Sequence, residues 1–101
     1  MKGTRLRLTS AAKRDVAKAA FYYSDQVAGL GEDFIQEIQL TMARILANPL
    51  QFRIYYHPES LRRAVVTRFP YCIFYIADPS EILVIAVQHG SRNENIWKRR
   101  L

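Results

Sequence analysis

A chain of 101 residues is the right length for one compact domain, so we treat residues 1–101 as a single unit. Half of the residues are hydrophobic and 12% are aromatic, a composition that supplies a buried core and excludes an intrinsically disordered chain. The formal net charge is +6, and the basic residues concentrate toward both ends of the chain. This distribution favours an acidic or nucleic-acid partner.

The hydropathy pattern predicts a cytoplasmic protein. The most apolar stretch, Tyr71 to Val87, is interrupted by charged residues and a proline, so no segment reaches the roughly 20 apolar residues of a membrane helix. The basic N-terminus is not followed by the apolar core of a secretion signal. The single cysteine, Cys72, cannot form an internal disulfide, and its position in a strand-like run predicts a buried thiol.

The first half of the chain predicts one short strand followed by a helical hairpin. Arg5 to Leu8 alternates polar and apolar residues, which is the period of a strand that buries one face. Thr9 then precedes an alanine-rich stretch, so its hydroxyl is predicted to cap the first helix. Gly29 and Gly31 are expected to end that helix. A second amphipathic helix is expected from about Glu32 to Ala47, ended by the Asn-Pro pair that follows.

The second half predicts three consecutive strands. Residues 50–60 show no sustained periodicity and contain Pro58, so an irregular connection is expected there. Three β-rich runs follow, separated by short links that imply an antiparallel meander: Leu61 to Arg68, Tyr71 to Ala77 and Ile82 to Val87. Asn93 to Arg100 is expected to form a last helical turn, with Trp97 folded back on the sheet.

The predicted order of elements is β-α-α-β-β-β. It defines an α+β fold, in which a small antiparallel sheet packs against an α-helical hairpin and a short C-terminal helical turn follows. The hairpin needs the sheet, because amphipathic helices of this length are not stable alone in water.

No motif for catalysis or cofactor binding is present. The phosphate-binding glycine loop, paired CxxC spacing and the GxSxG elbow are all missing from the sequence, so we expect neither a cofactor nor a metal. Of the two histidines, His57 precedes a proline in a loop and is expected to be exposed and structural. His89 follows the last strand, where the edge of the sheet meets solvent, and is a candidate for contact with a partner.

Arginines flank the predicted strands. Arg62, Arg63 and Arg68 accompany the second strand and Arg92 follows the fourth, so we expect them to gather on one end or face of the sheet. Arginine suits carboxylates and phosphates alike, so the cluster is compatible with an acidic protein or with nucleic acid. The candidate residues for binding a partner are Arg62, Arg63, Arg68, His89, Arg92, Trp97, Lys98 and Arg99.

Several of these segments together resemble one known family. They are Leu8-Thr9 opening an alanine-rich helix, the helical hairpin ending at Asn48-Pro49, the run Arg68 to Tyr75, and the ending Ala86 to Arg92 with Trp97. Nearly the whole chain is similar to the RelE/ParE toxins of type II toxin–antitoxin systems, and closer to the ParE-like (plasmid stabilisation) members. The most specific parts are the Phe-Pro-Tyr turn with its strand and the Val-x-His-x-x-Arg ending.

The resemblance implies a toxin that causes growth arrest and a cognate antitoxin that silences it, with an acidic C-terminal segment of the antitoxin wrapping the toxin. It also implies one of two targets. RelE-like members cleave messenger RNA in the ribosome, using basic residues on the sheet, whereas ParE-like members bind DNA gyrase and stall it.

The sequence favours the ParE-like target. RelE-like toxins typically carry an arginine after the tyrosine of the third strand, and here that position is Cys72. A thiol cannot neutralise a scissile phosphate, and the second strand offers only Arg62 and Arg63 in place of a lysine-rich run. We therefore expect a toxin that binds DNA gyrase and carries out no chemistry of its own, with direct nucleic-acid binding not favoured and no membrane contact.

Two alternatives stay open at this point. One is a divergent ribosome-dependent endoribonuclease, for which the catalytic candidates are His89, Arg92 and Arg68. The other is a remnant that has lost toxicity and only binds its antitoxin. A gyrase supercoiling assay, cleavage of translated messages and growth after induction separate the three.

Overall fold

The computed structural model describes residues 4–90 and 95–101, and it describes Asn95 by its backbone alone. Within that part of the chain the elements are, in order, β1 (Arg5–Leu8), α1 (Ser10–Gln26), α2 (Leu30–Ala47), β2 (Ile54–Tyr56), β3 (Leu61–Val65), β4 (Tyr71–Ala77), β5 (Glu81–His89) and α3 (Asn95–Arg99). None of these described helices is long and apolar enough to cross a membrane.

The first helix begins where the sequence predicts. Thr9 Oγ1 accepts a hydrogen bond from the backbone N–H of Ala12 at 3.1 Å, which satisfies one of the unpaired donors of the first turn. The helix ends at Gln26, earlier than the glycines expected to end it, because Val27 turns to extended backbone. The predicted N-cap is confirmed, and the role given to the glycines needs correction.

Gly29 starts the second helix rather than ending the first. It has a left-handed φ of 84° and occupies the N-cap position of α2. This is a conformation that glycine adopts without steric cost. As a result α2 begins at Leu30, two residues before the predicted start at Glu32.

Gly31 allows the two helices to pack at close range. A Cβ atom at this position would clash with the backbone carbonyl oxygen of Ala20 and with Ser24 Oγ, both on α1. The side chain of Ser24 can rotate away, but a carbonyl inside a helix cannot. The glycine that the sequence suggested as a helix terminator is therefore a helix-packing residue.

The five strands form one sheet in the order β1-β5-β4-β3-β2. Strands β3, β4 and β5 form the predicted antiparallel meander. Strand β1 pairs with β5 in parallel, with Leu6 opposite Ile82, so the sheet is mixed rather than wholly antiparallel as expected. Parallel pairing needs a long connection between the two strands, and the helical hairpin with the meander provides it.

The expectation of an irregular connection over residues 50–60 is wrong in part. Ile54–Tyr56 forms β2 and pairs with β3. Three residues are too few to show a periodic pattern, and β2 lies at the edge of the sheet, where the proline two residues later interrupts no ladder. Strand β3 is also shorter than predicted, since it ends at Val65 rather than Arg68.

Different elements cover the two faces of the sheet. On one face, which we call the hairpin face, α1 and α2 pack over a core that includes Ile73 and Tyr75. On the opposite face, which we call the α3 face, buried Trp97 packs with Phe74 and Ile85. The predicted return of Trp97 to the sheet is confirmed, as is the α+β fold of a small sheet backed by a helical hairpin.

Replacing Gly31 by alanine is expected to lower the free energy of unfolding by about 3 kcal/mol, because the added Cβ forces two helices apart. Urea unfolding followed by circular dichroism measures the loss. Gly29→Ala is the matched control, since nothing lies within 4 Å of its added Cβ and only the left-handed backbone is penalised, by about 1 kcal/mol. Equal losses in the two variants would contradict the packing role.

Candidate functional site

The register of β3 against β4 separates two neighbouring arginines. Arg62 lies opposite Tyr75, which belongs to the hairpin face, and Arg63 lies opposite Phe74, which belongs to the α3 face. Successive side chains of a strand point to opposite faces of its sheet. The expectation that these arginines gather on one surface is therefore not met.

Arg62 holds the connection between α2 and β2. Its Nη1 donates to the carbonyl oxygen of Phe52 at 2.5 Å and, at 3.4 Å, to that of Leu50. Beside it, Tyr75 Oη donates to the carbonyl oxygen of Pro49 at 2.6 Å. These bonds satisfy carbonyls that none of the described strands or helices satisfies, so Arg62 has a structural use on the hairpin face.

Arg63 borders an exposed aromatic surface on the α3 face. Its Cζ lies 4.2 Å from the centroid of the Tyr55 ring, which is a cation–π distance. Tyr55 is 40% exposed, and its ring centroid is 5.7 Å from that of Trp97. Arg63 therefore stays at the surface, beside the ring of Tyr55, which a partner can reach.

Buried Trp97 lies beneath this surface and supports it. Its ring stacks on Phe74 with centroids 5.5 Å apart and an interplanar angle of 17°. Tyr56 meets it at 5.1 Å, edge to face, and Lys98 Nζ lies 5.1 Å from the Tyr56 centroid. We call the group formed by Tyr55, Tyr56, Arg63 and Lys98, with buried Trp97 beneath it, the aromatic–cation surface.

The aromatic–cation surface has the chemistry of a binding surface. Tyrosine, tryptophan and arginine are the residue types that most often dominate the binding energy of interfaces. Two cations lie next to rings that other rings fix in place, so little side-chain freedom is left to lose on binding. Sequence reasoning missed Tyr55 and Tyr56, because they lie in the segment predicted to be irregular; the adjacent tyrosine pair was the available signal.

Arg68 lies away from that surface, in the turn between β3 and β4. Its backbone has a left-handed φ of 74°. Its guanidinium nitrogens lie 3.6 Å from the carboxylates of Asp33 and Glu37 on α2. These are long, partly exposed ion pairs that contribute little to stability, but they direct Arg68 toward the hairpin and away from Arg63.

His89 lines a cleft of about 660 Å³ between α1 and α3. Its ring centroid is 5.6 Å from that of Tyr71, and Lys18 and Tyr22 of α1 form the opposite wall. Burial raises the pKa of the cleft residue Tyr23, and the neighbouring Tyr71 and Tyr22 raise it further. The wall of the cleft is thus aromatic, with the basic side chain of Lys18 at its side.

Cys72 is buried on the α3 face, as the sequence predicts. Burial raises the pKa of its thiol, and the charge of Arg63 offsets this only in part. A protonated thiol is a poor nucleophile. His57 is exposed, also as predicted. Across residues 4–90 and 95–101, no three His, Cys, Asp or Glu side chains lie together in a way that could hold a metal ion.

The two remaining candidates lie toward the C-terminus. Arg99 is on the exposed side of α3, next to Lys98. Arg92 lies outside the described residues, so its predicted place near His89 stays a prediction. The candidate residues thus divide among the aromatic–cation surface, the α2–β2 connection, the β3–β4 turn and the cleft.

Comparison with known proteins agrees with this fold. A family model described as the ParE toxin of the type II toxin–antitoxin system parDE matches residues 6–94. A solved structure of the chromosomal ParDE toxin–antitoxin system from P. aeruginosa contains a similar chain, with a TM-score of 0.73 and 19% sequence identity. The alignment covers 86% of the present chain and 96% of the other. No curated protein matches the sequence.

The mixed sheet, the helical hairpin and these matches define a small toxin-class domain of a type II toxin–antitoxin system. The chain belongs to the ParE toxin family. The resemblance to the RelE/ParE toxins, on the ParE-like side, is thereby confirmed.

Arg62→Ala is expected to lower the free energy of unfolding by about 2 kcal/mol, because the partly buried carbonyl of Phe52 loses a charged donor. Arg63→Ala removes only a cation–π contact at the surface and should cost about 0.5–1 kcal/mol. The two variants are matched in residue type and strand, and urea unfolding compares them directly. The separation of the two arginines would be contradicted by a larger loss for Arg63→Ala.

Burial raises the pKa of Tyr75 to about 12, with Arg62 opposing the shift. The folded state thus favours the neutral phenol, so this stabilisation is fully present below pH 10.0 and is lost as the pH rises toward 12. Tyr75→Phe should therefore lose less stability than the wild type between pH 10 and 12. Unfolding free energies at pH 9 and pH 11 test this, with Tyr55→Phe as the exposed control; parallel losses in all three proteins would argue against it.

Proposed function

We propose that this protein is a toxin that inhibits DNA gyrase by binding it and that a cognate antitoxin neutralises it. Membership of the ParE toxin family supports the toxin role. The ParDE system from P. aeruginosa is described as a toxin–antitoxin system, which supports an antitoxin partner for this chain as well. The gyrase target follows the resemblance to ParE-like toxins.

The observation that carries the choice of target is the composition of the α3 face. A RelE-like nuclease uses basic residues on its sheet, and at the position where such toxins typically have an arginine this chain has the buried Cys72. Close by, Phe74 and Trp97 stack on each other and fill the face with apolar groups. A face filled in this way favours binding over cleavage of a phosphodiester.

The aromatic–cation surface is our proposed contact for gyrase. Arg63 and Lys98 supply positive charge near the rings of Tyr55 and Tyr56, and Arg99 adds another exposed charge on α3. Charge of this sign speeds the encounter with an acidic partner, and the aromatic side chains supply the anchors. An acidic C-terminal segment of the antitoxin fits the same description, so the antitoxin would neutralise the toxin by covering the surface that contacts the target.

Purified gyrase incubated with this protein, ATP and plasmid DNA tests the proposal. We expect loss of supercoiling activity and accumulation of a trapped cleavage complex. Unchanged supercoiling and no cleavage complex at a large excess of toxin would reject gyrase as the target. Primer extension on translated messages is run in parallel, because new cuts in those messages would point to a ribosome-dependent nuclease instead.

Reversal of Arg63 and Lys98 to glutamate is expected to raise the amount of toxin needed for half-inhibition of gyrase at least tenfold, since both cations of the proposed contact become charges that repel an acidic partner. The matched control is Lys13→Glu with Arg14→Glu, which makes the same change in net charge on the exposed side of α1. Inhibition that falls equally in both double variants would show a general charge effect and would contradict the proposed surface.

A further inference from the structure

Strand β5 is longer than the strand that pairs with its outer edge. The parallel register of β1 with β5 runs from Arg5 opposite Glu81 to Leu8 opposite Val84. Among the described residues, the last backbone hydrogen bond between β5 and the β1 segment joins the N–H of Thr9 to the carbonyl of Val84 at 3.0 Å, and the chain then turns into α1. From Ile85 onward, β1 gives β5 no backbone partner on its outer edge.

Beyond the end of β1, two side chains bond the edge of β5 where a longer neighbouring strand would bond it. The carboxylate of Asp15 accepts a hydrogen bond from the backbone N–H of Val87 at 2.9 Å. The guanidinium of Arg100 donates to the backbone carbonyl of Ile85 at 3.0 Å. One N–H and one carbonyl, two residues apart on the same edge, are the groups that an added strand would bond.

Asp15 and Arg100 are also bonded to each other. Arg100 Nη1 lies 2.6 Å from Asp15 Oδ2, and Arg100 Nη2 lies 3.1 Å from Asp15 Oδ1, so the pair is bidentate. The Asp15 side chain is 15% exposed and the Arg100 side chain is 24% exposed. This burial protects the pair from much of the solvent screening that weakens surface ion pairs. The pair thus joins α1, the edge of β5 and the residue after α3.

An open strand edge presents unpaired N–H and C=O groups and is a template for pairing with another chain. We propose that Asp15 and Arg100 form a latch that seals the outer edge of β5 against strand pairing with a second copy of this protein. The inference rests on the edge geometry alone and is independent of the target of the toxin.

A second copy fits the unlatched edge for two reasons. The same edge on two molecules is self-complementary when the strands run antiparallel about a two-fold axis, so no other surface is needed. The edge can also be reached, because Val87, Gln88 and Arg100 line the cleft between α1 and α3. Opening the latch would expose the N–H of Val87 and the carbonyl of Ile85 to that cleft.

The test compares two double variants of the full chain. Asp15→Ala with Arg100→Ala removes both members of the latch together, so no buried charge is left without its partner. Asp25→Ala with Arg14→Ala removes one acidic and one basic side chain from exposed positions of α1 and has the same net charge. Hydrogen exchange at the Val87 amide reports whether the edge is open, and sedimentation equilibrium over a range of concentrations reports self-association.

In the latch variant we expect exchange at Val87 to be at least tenfold faster than in the wild type, and the weight-average mass to rise with concentration. The exposed-site variant should match the wild type in both measurements. The proposal is overturned if Val87 stays protected in the latch variant, and equally if Val87 exchanges rapidly while the mass stays that of the wild type.

A variant that does not fold still leaves the proposal testable. If the latch variant has no thermal transition, Arg100→Ala alone is measured in its place, because Asp15 keeps its bond to Val87 while the carbonyl of Ile85 is freed. A weaker concentration-dependent rise in mass is expected for this folded single variant, because the N–H of Val87 stays bonded to Asp15. A mass equal to that of the wild type overturns the proposal that the latch seals this edge.

Discussion

The antiparallel register of β3 and β4 determines which side chains meet on each face of the sheet. Arg62 opposite Tyr75 and Arg63 opposite Phe74 are consecutive pairs on the same ladder. Because strand side chains alternate, the first pair is committed to holding the α2–β2 connection and the second to the aromatic–cation surface. A one-residue slip of β3 would exchange the roles of the two arginines and leave the carbonyl of Phe52 without its donor. The same slip of β4 would instead move Tyr75 out of the hairpin core.

The α3 face depends on this register in turn. Helix α3 has five residues, too few to be stable by itself, so contacts with the sheet have to hold it. The stack of Trp97 on Phe74 holds it from one side, and the bonds of Arg100 to Asp15 and Ile85 hold the residue that follows it. The exposed basic residues of α3, which we propose as target contacts, therefore owe their position to one aromatic pair and one ion pair.

Local features of this chain could be predicted from the sequence, and long-range ones could not. The Thr9 cap, the amphipathic hairpin and the central strands follow from patterns within a few residues. Strand alternation predicts the split of Arg62 from Arg63, whereas their shared charge suggests a cluster. The Asp15–Arg100 pair has no signal in the sequence, since its members are 85 residues apart. Their contact depends on β5 extending past the point where its pairing with β1 ends.

The fold of this protein tolerates wide changes in sequence, so the fold alone does not identify the target. A chain with 19% identity shares the fold at a TM-score of 0.73, so few side chains need to be retained for the sheet and hairpin to form. We propose that the side chains of the α3 face decide between binding and cleavage. In this chain that face holds a buried thiol with a raised pKa, two stacked rings, and cations placed over other rings. This composition supports the binding role that we propose, because a scissile phosphate needs free cations and a group that can transfer a proton.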